Sequence, residues 1–178
     1  MFLMFLTLAA AAAAPSETDL AGHLRDGELL CVKPDEANKS CDTIDRVTVN
    51  PDGAMIETSE TLFSDEPPTA LEITNPVSIE GDAVCAVVDM AVLRQGIVRV
   101  NGTPLPLDAN AALIRTLGEI LKPAEGHTIC ERLQIDAGQL VVTARDNGTP
   151  SPYAARPVRW ISAGAGWRVA LPSHKPAS

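Results

Sequence analysis

The chain has 178 residues, of which 46% are hydrophobic and 21% charged, and it carries a formal net charge of −9 at pH 7. That is enough apolar material for one domain, or two small ones sharing an interface. The negative charge disfavours general nucleic-acid binding, because the molecule as a whole repels phosphate.

The first 14 residues, MFLMFLTLAAAAAA, hold no charged side chain. The run is too short for a bilayer-spanning helix, which needs roughly 20 residues. It matches the apolar core and small-residue end of a secretory signal peptide, although the usual preceding Lys or Arg is missing. No cysteine follows the alanines, which argues against a lipid anchor. The expected organisation is a signal peptide over 1–13 and a single exported domain over 14–178, periplasmic or secreted, with no transmembrane segment in the mature chain. Ten Arg against four Lys, with frequent Ala and Pro, suggests a GC-rich bacterial source.

Four cysteines follow: Cys31, Cys41, Cys85 and Cys130. An even number in an exported chain reads as a disulfide framework. Neither C-x-x-C nor zinc-like Cys/His spacing occurs, and His23, His127 and His174 are scattered. Of the three pairings, Cys31–Cys41 with Cys85–Cys130 is favoured. The first would close CVKPDEANKSC, a loop of turn composition. The second would tie distant parts of the chain together.

Charge divides the chain. Residues 14–90 carry seventeen acids against four bases, net −13, and residues 91–178 carry six against ten, net +4. In chain order, strands are expected at 44–49 and 54–63, joined by the turn Asn50-Pro51-Asp52-Gly53. SDEPPT, 64–69, reads as a loop. Two strands, 71–79 and 83–88, flank Glu80-Gly81-Asp82. A short hairpin pairs 97–100 with 105–107 around Asn101-Gly102. One helix is expected over 108–122. Asp108 would cap it, Leu113, Ile114, Leu117, Ile120 and Leu121 would form its apolar stripe, and Pro123 would stop it.

Alternating strands follow, with Ile129, Leu133 and Ile135, then Leu140, Val142 and Ala144, then Val158 and Trp160, then Trp167, Val169 and Leu171 sharing one face. That face would pack on the helix stripe. The expected fold class is therefore α+β: an antiparallel β-sheet with one amphipathic helix packed on one face, stapled by disulfides. One helix followed by four strands is similar to the element order of cystatins and of NTF2-type sheets, and similar in nothing more.

The opposite parity of those strands holds Arg132, Arg145, Arg159 and Arg168, with Arg156 close by. Paired in order, the strands would gather these guanidinium groups on one surface suited to carboxylate or phosphate. The competing expectation is pairing with the surplus acids of the first half, such as Asp35, Glu36, Asp42, Asp65, Glu66 and Glu72, or ordinary solvation.

No G-x-S-x-G, H-E-x-x-H or phosphate-binding glycine loop is present. His127 is a candidate base with Glu125 and Glu131 as sequence neighbours, but a lone strand-end histidine is more often a surface or capping residue. Asp52 and Asp82 are explained by turn chemistry without calcium. Neither metal nor cofactor is expected. The functional expectation is non-enzymatic binding of a partner protein or an anionic ligand. The alternatives are a small periplasmic hydrolase or isomerase using His127 or a carboxylate in a cleft, and an inhibitor or structural module.

Overall fold

The computed structural model describes residues 16–170. The leader expected over 1–13, and Leu171 and His174, lie outside the described residues. In chain order the elements are α1 (Leu20–Arg25), β1 (Glu28–Val32), β2 (Ser40–Cys41), β3 (Thr43–Val49), β4 (Met55–Asp65), β5 (Pro68–Glu80), β6 (Ala83–Val87), α2 (Met90–Leu93), β7 (Ile97–Val100), β8 (Thr103–Pro104) and α3 (Leu107–Leu121). A 3₁₀ turn (Lys122–Ala124) leads into β9 (Thr128–Asp136), β10 (Gln139–Asp146), β11 (Thr149–Pro150), β12 (Arg156–Ser162) and β13 (Arg168–Val169).

Eight of these strands run around a ring in the order β4-β3-β1-β12-β10-β9-β6-β5, and β5 pairs back with β4. Every pairing in the ring is antiparallel. The fold is thus a closed eight-stranded antiparallel β-barrel, which corrects the expected α+β sheet with a helix on one face, and with it the cystatin-like order. The shared parity of the apolar residues was read correctly for β9, β10 and β12. Their common face, however, is the inside of a barrel, and the other strands cover it.

The long β4–β5 hairpin drives closure. It registers Asp65 with Pro68 at one end and Met55 with Val77 at the other, with a bulge between Leu62 and Ser64. On its other edge β5 serves two partners in turn, β7 along Thr69–Glu72 and β6 along Val77–Glu80. The turn at Gly53 takes φ +86°, and Asp52 Oδ1 accepts the Ala54 N–H at 3.0 Å. Asn101 and Gly102 both take positive φ, +50° and +75°, as a two-residue hairpin of the I′ type requires.

Three apolar clusters hold the molecule. Val32, Leu133, Leu140, Val142 and Val158 fill one end of the lumen, with Leu20, Leu30 and Trp160 packed against them. Outside the wall, Leu29, Cys31, Cys41 and Ile161 form a second cluster with Ile44 and Trp167, beneath the small parallel pair β2–β13. Trp160 and Trp167 therefore do not share a face. The third cluster, Met90, Leu93, Val98 and Ile114, lies between α2, β7 and α3 and reaches the barrel through Leu71 and Ile73.

Helix α3 starts after Pro106, which makes no side-chain cap, and Asp108 sits in the first turn, where a carboxylate favours the helix dipole. Only Ile114 of the expected stripe is buried, and Ile120 is 67% exposed, because the helix packs on α2 and β7 rather than across a sheet. Asn110 fixes it to β7: its Oδ1 accepts the Val98 N–H at 2.6 Å and its amide donates to Gly96 O at 3.0 Å.

The disulfides are Cys31–Cys41 and Cys85–Cys130, as the favoured pairing has it, and no described cysteine is free. Cys85 and Cys130 face each other directly across β6 and β9. Two bonds of this kind fit an oxidising compartment. Among the described residues, no helix is long and apolar enough to cross a membrane.

Candidate functional site

Eight strands enclose a space that side chains fill or that holds one small ligand. Here one end is filled and the other is not. Beyond the Val32–Val158 cluster the lumen turns polar and encloses a cavity of about 270 Å³. Its β3–β4 wall presents Thr43, Asp45, Glu57, Ser59 and Thr61, and its β5–β6 wall presents Leu71, Ile73, Val84 and Ala86. Asn75, Ile129, Glu131 and Arg156 complete the lining. Strand register explains the convergence. Asp45 lies opposite Ser59, Glu57 opposite Val47, and Glu131 opposite both Ala144 and Val84, so all three acids point inward.

The electrostatics of this chamber are unbalanced. Arg156 Nη2 donates to Glu131 Oε1 and is thereby committed. Asp45 accepts only the Ser59 hydroxyl, at 2.6 Å. Burial pushes the Asp45 carboxyl from 3.8 up to about 7; the Ser59 hydrogen bond works against this, Glu131 adds to it, and Arg156 opposes it. Burial also pushes Glu57 from 4.5 up to about 8, with Asp45 and then Glu131 adding to the rise. Near neutrality the cavity thus presents two carboxyl groups poised between donor and acceptor states beside a fixed ion pair.

The apolar end is closed by the N-terminal segment. Trp160 donates its indole N–H to Glu17 O at 2.8 Å, and His23, buried, stacks on its ring. The polar end has a different neighbour. A surface depression of about 780 Å³ under residues 151–155 shares Ile129, Glu131 and Arg156 with the lumen lining. Strands β10 and β12 meet there through only two residue pairs, Val141–Pro157 and Val142–Arg156.

The five arginines singled out in the sequence are distributed over separate places. Arg156 is inside the barrel. Arg132 donates to Asp82 at 2.9 Å and Arg145 to Gly148 O at 2.9 Å, and both border a depression over the Cys85–Cys130 bond that Glu80 also lines. Arg159 is bonded to Glu36, with its guanidinium carbon 5.4 Å from the Trp167 ring centroid. Arg168 is exposed on β13, which pairs with β2 rather than β12. The structure brings together Arg132 and Arg145 alone. Acids of the first half, Asp82 and Glu36, take up two of the five.

His127 pairs with Asp146 at 2.8 Å, not with Glu125 or Glu131, and both side chains are more than a third exposed. Among the described residues, the one group close enough to suggest a metal is Glu80 with Cys85 and Cys130, whose sulfurs are joined to each other and so offer no thiolate.

Sequence reasoning missed Asp45, Glu57, Ser59 and Glu131. One signal was available: Glu131 has the parity of Ile129 and Leu133, so an acid stands where an inward apolar residue is expected. Asp45 and Glu57 have no such apolar frame on both sides and read as solvated strand. Compared with known proteins, the chain matches no family model, no curated protein and no solved structure at a significant level.

Proposed function

We propose that this is a non-enzymatic binding barrel of the bacterial envelope, periplasmic or secreted, that takes one compact, positively charged ligand into the polar end of its lumen. The observation that carries this reading is the charge imbalance around the cavity: Asp45, Glu57 and Glu131 face a single guanidinium, and Arg156 is held by Glu131. A ligand amine or amidinium would ionise Asp45 and Glu57 and pair with them. Its apolar flank would rest on Leu71, Ile73 and Val84. The cavity, about 270 Å³, is just below the usual range of roughly 300–1,000 Å³ for drug-sized ligands, which restricts the occupant to a small molecule. Entry would pass the weakly paired β10–β12 seam and the Glu131–Arg156 pair.

The test is a thermal-shift series at pH 7.5 with small amines (ethanolamine, choline, agmatine) and carboxylates of similar size. Stabilisation by at least one cation, and by none of the anions, is expected. Asp45→Asn with Glu57→Gln should abolish it. If carboxylates stabilise instead, or the double variant responds like the parent, the lumen is not a cation site.

The raised carboxyls also favour a second reading, the hydrolase or isomerase of the sequence analysis, because a general base works best with a pKa near the working pH. In that case Asp45→Asn would abolish turnover of a bound substrate, whereas under simple binding no turnover exists to lose.

A further inference from the structure

The described residues contain thirteen Lys and Arg side chains. Seven hold a side-chain hydrogen bond or ion pair: Lys33, Lys39, Arg99, Arg132, Arg145, Arg156 and Arg159. Of the six that hold none, three stand together. Arg94, Arg115 and Lys122 border one groove between α2 and α3, of about 530 Å³.

The floor of that groove is apolar: Met90, Leu93 and Ile114, all buried, with Gly118 beside them. Glu119 and Glu125 also reach the rim, but neither forms an ion pair with the three bases, so the rim keeps a positive surplus on a chain of net −9. Gly118 bears on the depth of the groove. A Cβ there would meet only Leu93 Cδ2, at 3.7 Å, an ordinary contact. Packing does not demand glycine, and mid-helix glycine costs about 1 kcal/mol relative to alanine. What its missing side chain leaves is open space on the groove floor.

From the apolar floor, the open position and the unpartnered cationic rim, we infer that the α2–α3 groove binds a single-chain amphiphile with a carboxylate head, the alkyl chain lying over Leu93, Ile114 and Gly118 and the head among Arg94, Arg115 and Lys122. Guanidinium groups suit a carboxylate because they can engage both oxygens. The groove volume lies within the range of small-ligand sites. This inference is independent of the lumen reading.

The probe is dodecanoate below its micelle concentration, titrated calorimetrically into the purified protein, with dodecanol and dodecylamine as uncharged and cationic controls. Dodecanoate should bind at one site and both controls at least about tenfold more weakly. Gly118→Leu, which fills the floor, should weaken dodecanoate about tenfold or more. If that variant is poorly folded, Arg94→Gln with Arg115→Gln should give a similar loss while leaving the apolar floor intact. Asp45→Asn should leave the affinity unchanged. The inference is overturned if dodecanoate does not bind, if dodecylamine binds as well, if both groove variants retain full affinity, or if Asp45→Asn removes binding. Binding to anionic vesicles without binding of monomeric dodecanoate would equally overturn it, by making the face a membrane-contact surface.

Discussion

His23 lies flat on Trp160, with ring centroids 4.2 Å apart and planes 15° from parallel. The imidazole is held at both ends, by Glu28 at 2.5 Å from Nδ1 and by the Ser16 carbonyl at 2.9 Å from Nε2. Helix α1 has only six residues, too few to be stable alone. It is these contacts, with Leu20 on the lumen cluster, that seat it as a stopper. His23→Ala should therefore cost roughly 1–3 kcal/mol, by unstacking the indole and leaving the half-buried Glu28 without its partner. Denaturant titration followed by tryptophan emission reads both effects. A change below about 0.5 kcal/mol would mean that the barrel holds its end without the stopper.

The lumen acids make stability depend on pH with a definite sign. Folding raises the Asp45 carboxyl from 3.8 to about 7 and Glu57 from 4.5 to about 8. Between those limits the folded state holds protons that the unfolded chain has released. Stability should therefore fall as pH rises from about 4 to about 8 and then level off. Asp45→Asn should flatten the profile and raise stability at pH 8, by an amount on the order of 2 kcal/mol. Melting curves for both proteins across that range check this; a parent whose stability climbs toward pH 8 contradicts it. For the same reason, a cationic ligand should bind more tightly as pH passes 7–8.

Two neighbouring arginines on β12 separate inside from outside. Arg156→Gln leaves Glu131 without its guanidinium in the lumen lining and should cost about 1–3 kcal/mol. Arg159→Gln breaks an exposed pair with Glu36 and should cost less than about 1 kcal/mol. Equal losses in urea melts would refute the inside–outside assignment.

Much of the fold was written in local signals. The turns at Asn50-Pro51-Asp52-Gly53 and Asn101-Gly102, helix α3 to within a residue at each end, and both disulfides could be found from residue type and spacing. Closure could not. It depends on β5 pairing with β4 on one edge and with β7 and then β6 on the other, and nothing local to its thirteen residues states that. Strand β1 shows the difficulty. Leu30 and Val32 face the lumen while Leu29 and Cys31 face the outer cluster, so both parities are apolar and no single buried face can be read. The site was hidden for the converse reason: Asp45 and Glu57 are polar residues at inward positions, indistinguishable in sequence from a solvated strand.

Thiol alkylation without reductant should label no cysteine in the folded protein, because all four sulfurs are joined. Reduction should remove about 3 kcal/mol through the Cys31–Cys41 loop and about 4 through Cys85–Cys130. Mass spectrometry and melts with and without reductant provide the check. Labelling of Cys85 before reduction would break the framework.

Ring closure has a consequence for how the molecule meets its own kind. A β-sheet normally ends in a strand whose unpaired N–H and C=O groups can template another chain. A full ring leaves no such strand, and of the strands paired beyond it β8 stops after Thr103 and Pro104 and β11 after Thr149 and Pro150. Pro104 has no N–H to offer, and Pro106 removes another two residues on. A chain crowded among unfolded neighbours would therefore find little backbone on this barrel to join by strand addition, even though about half of its described residues lie in strands.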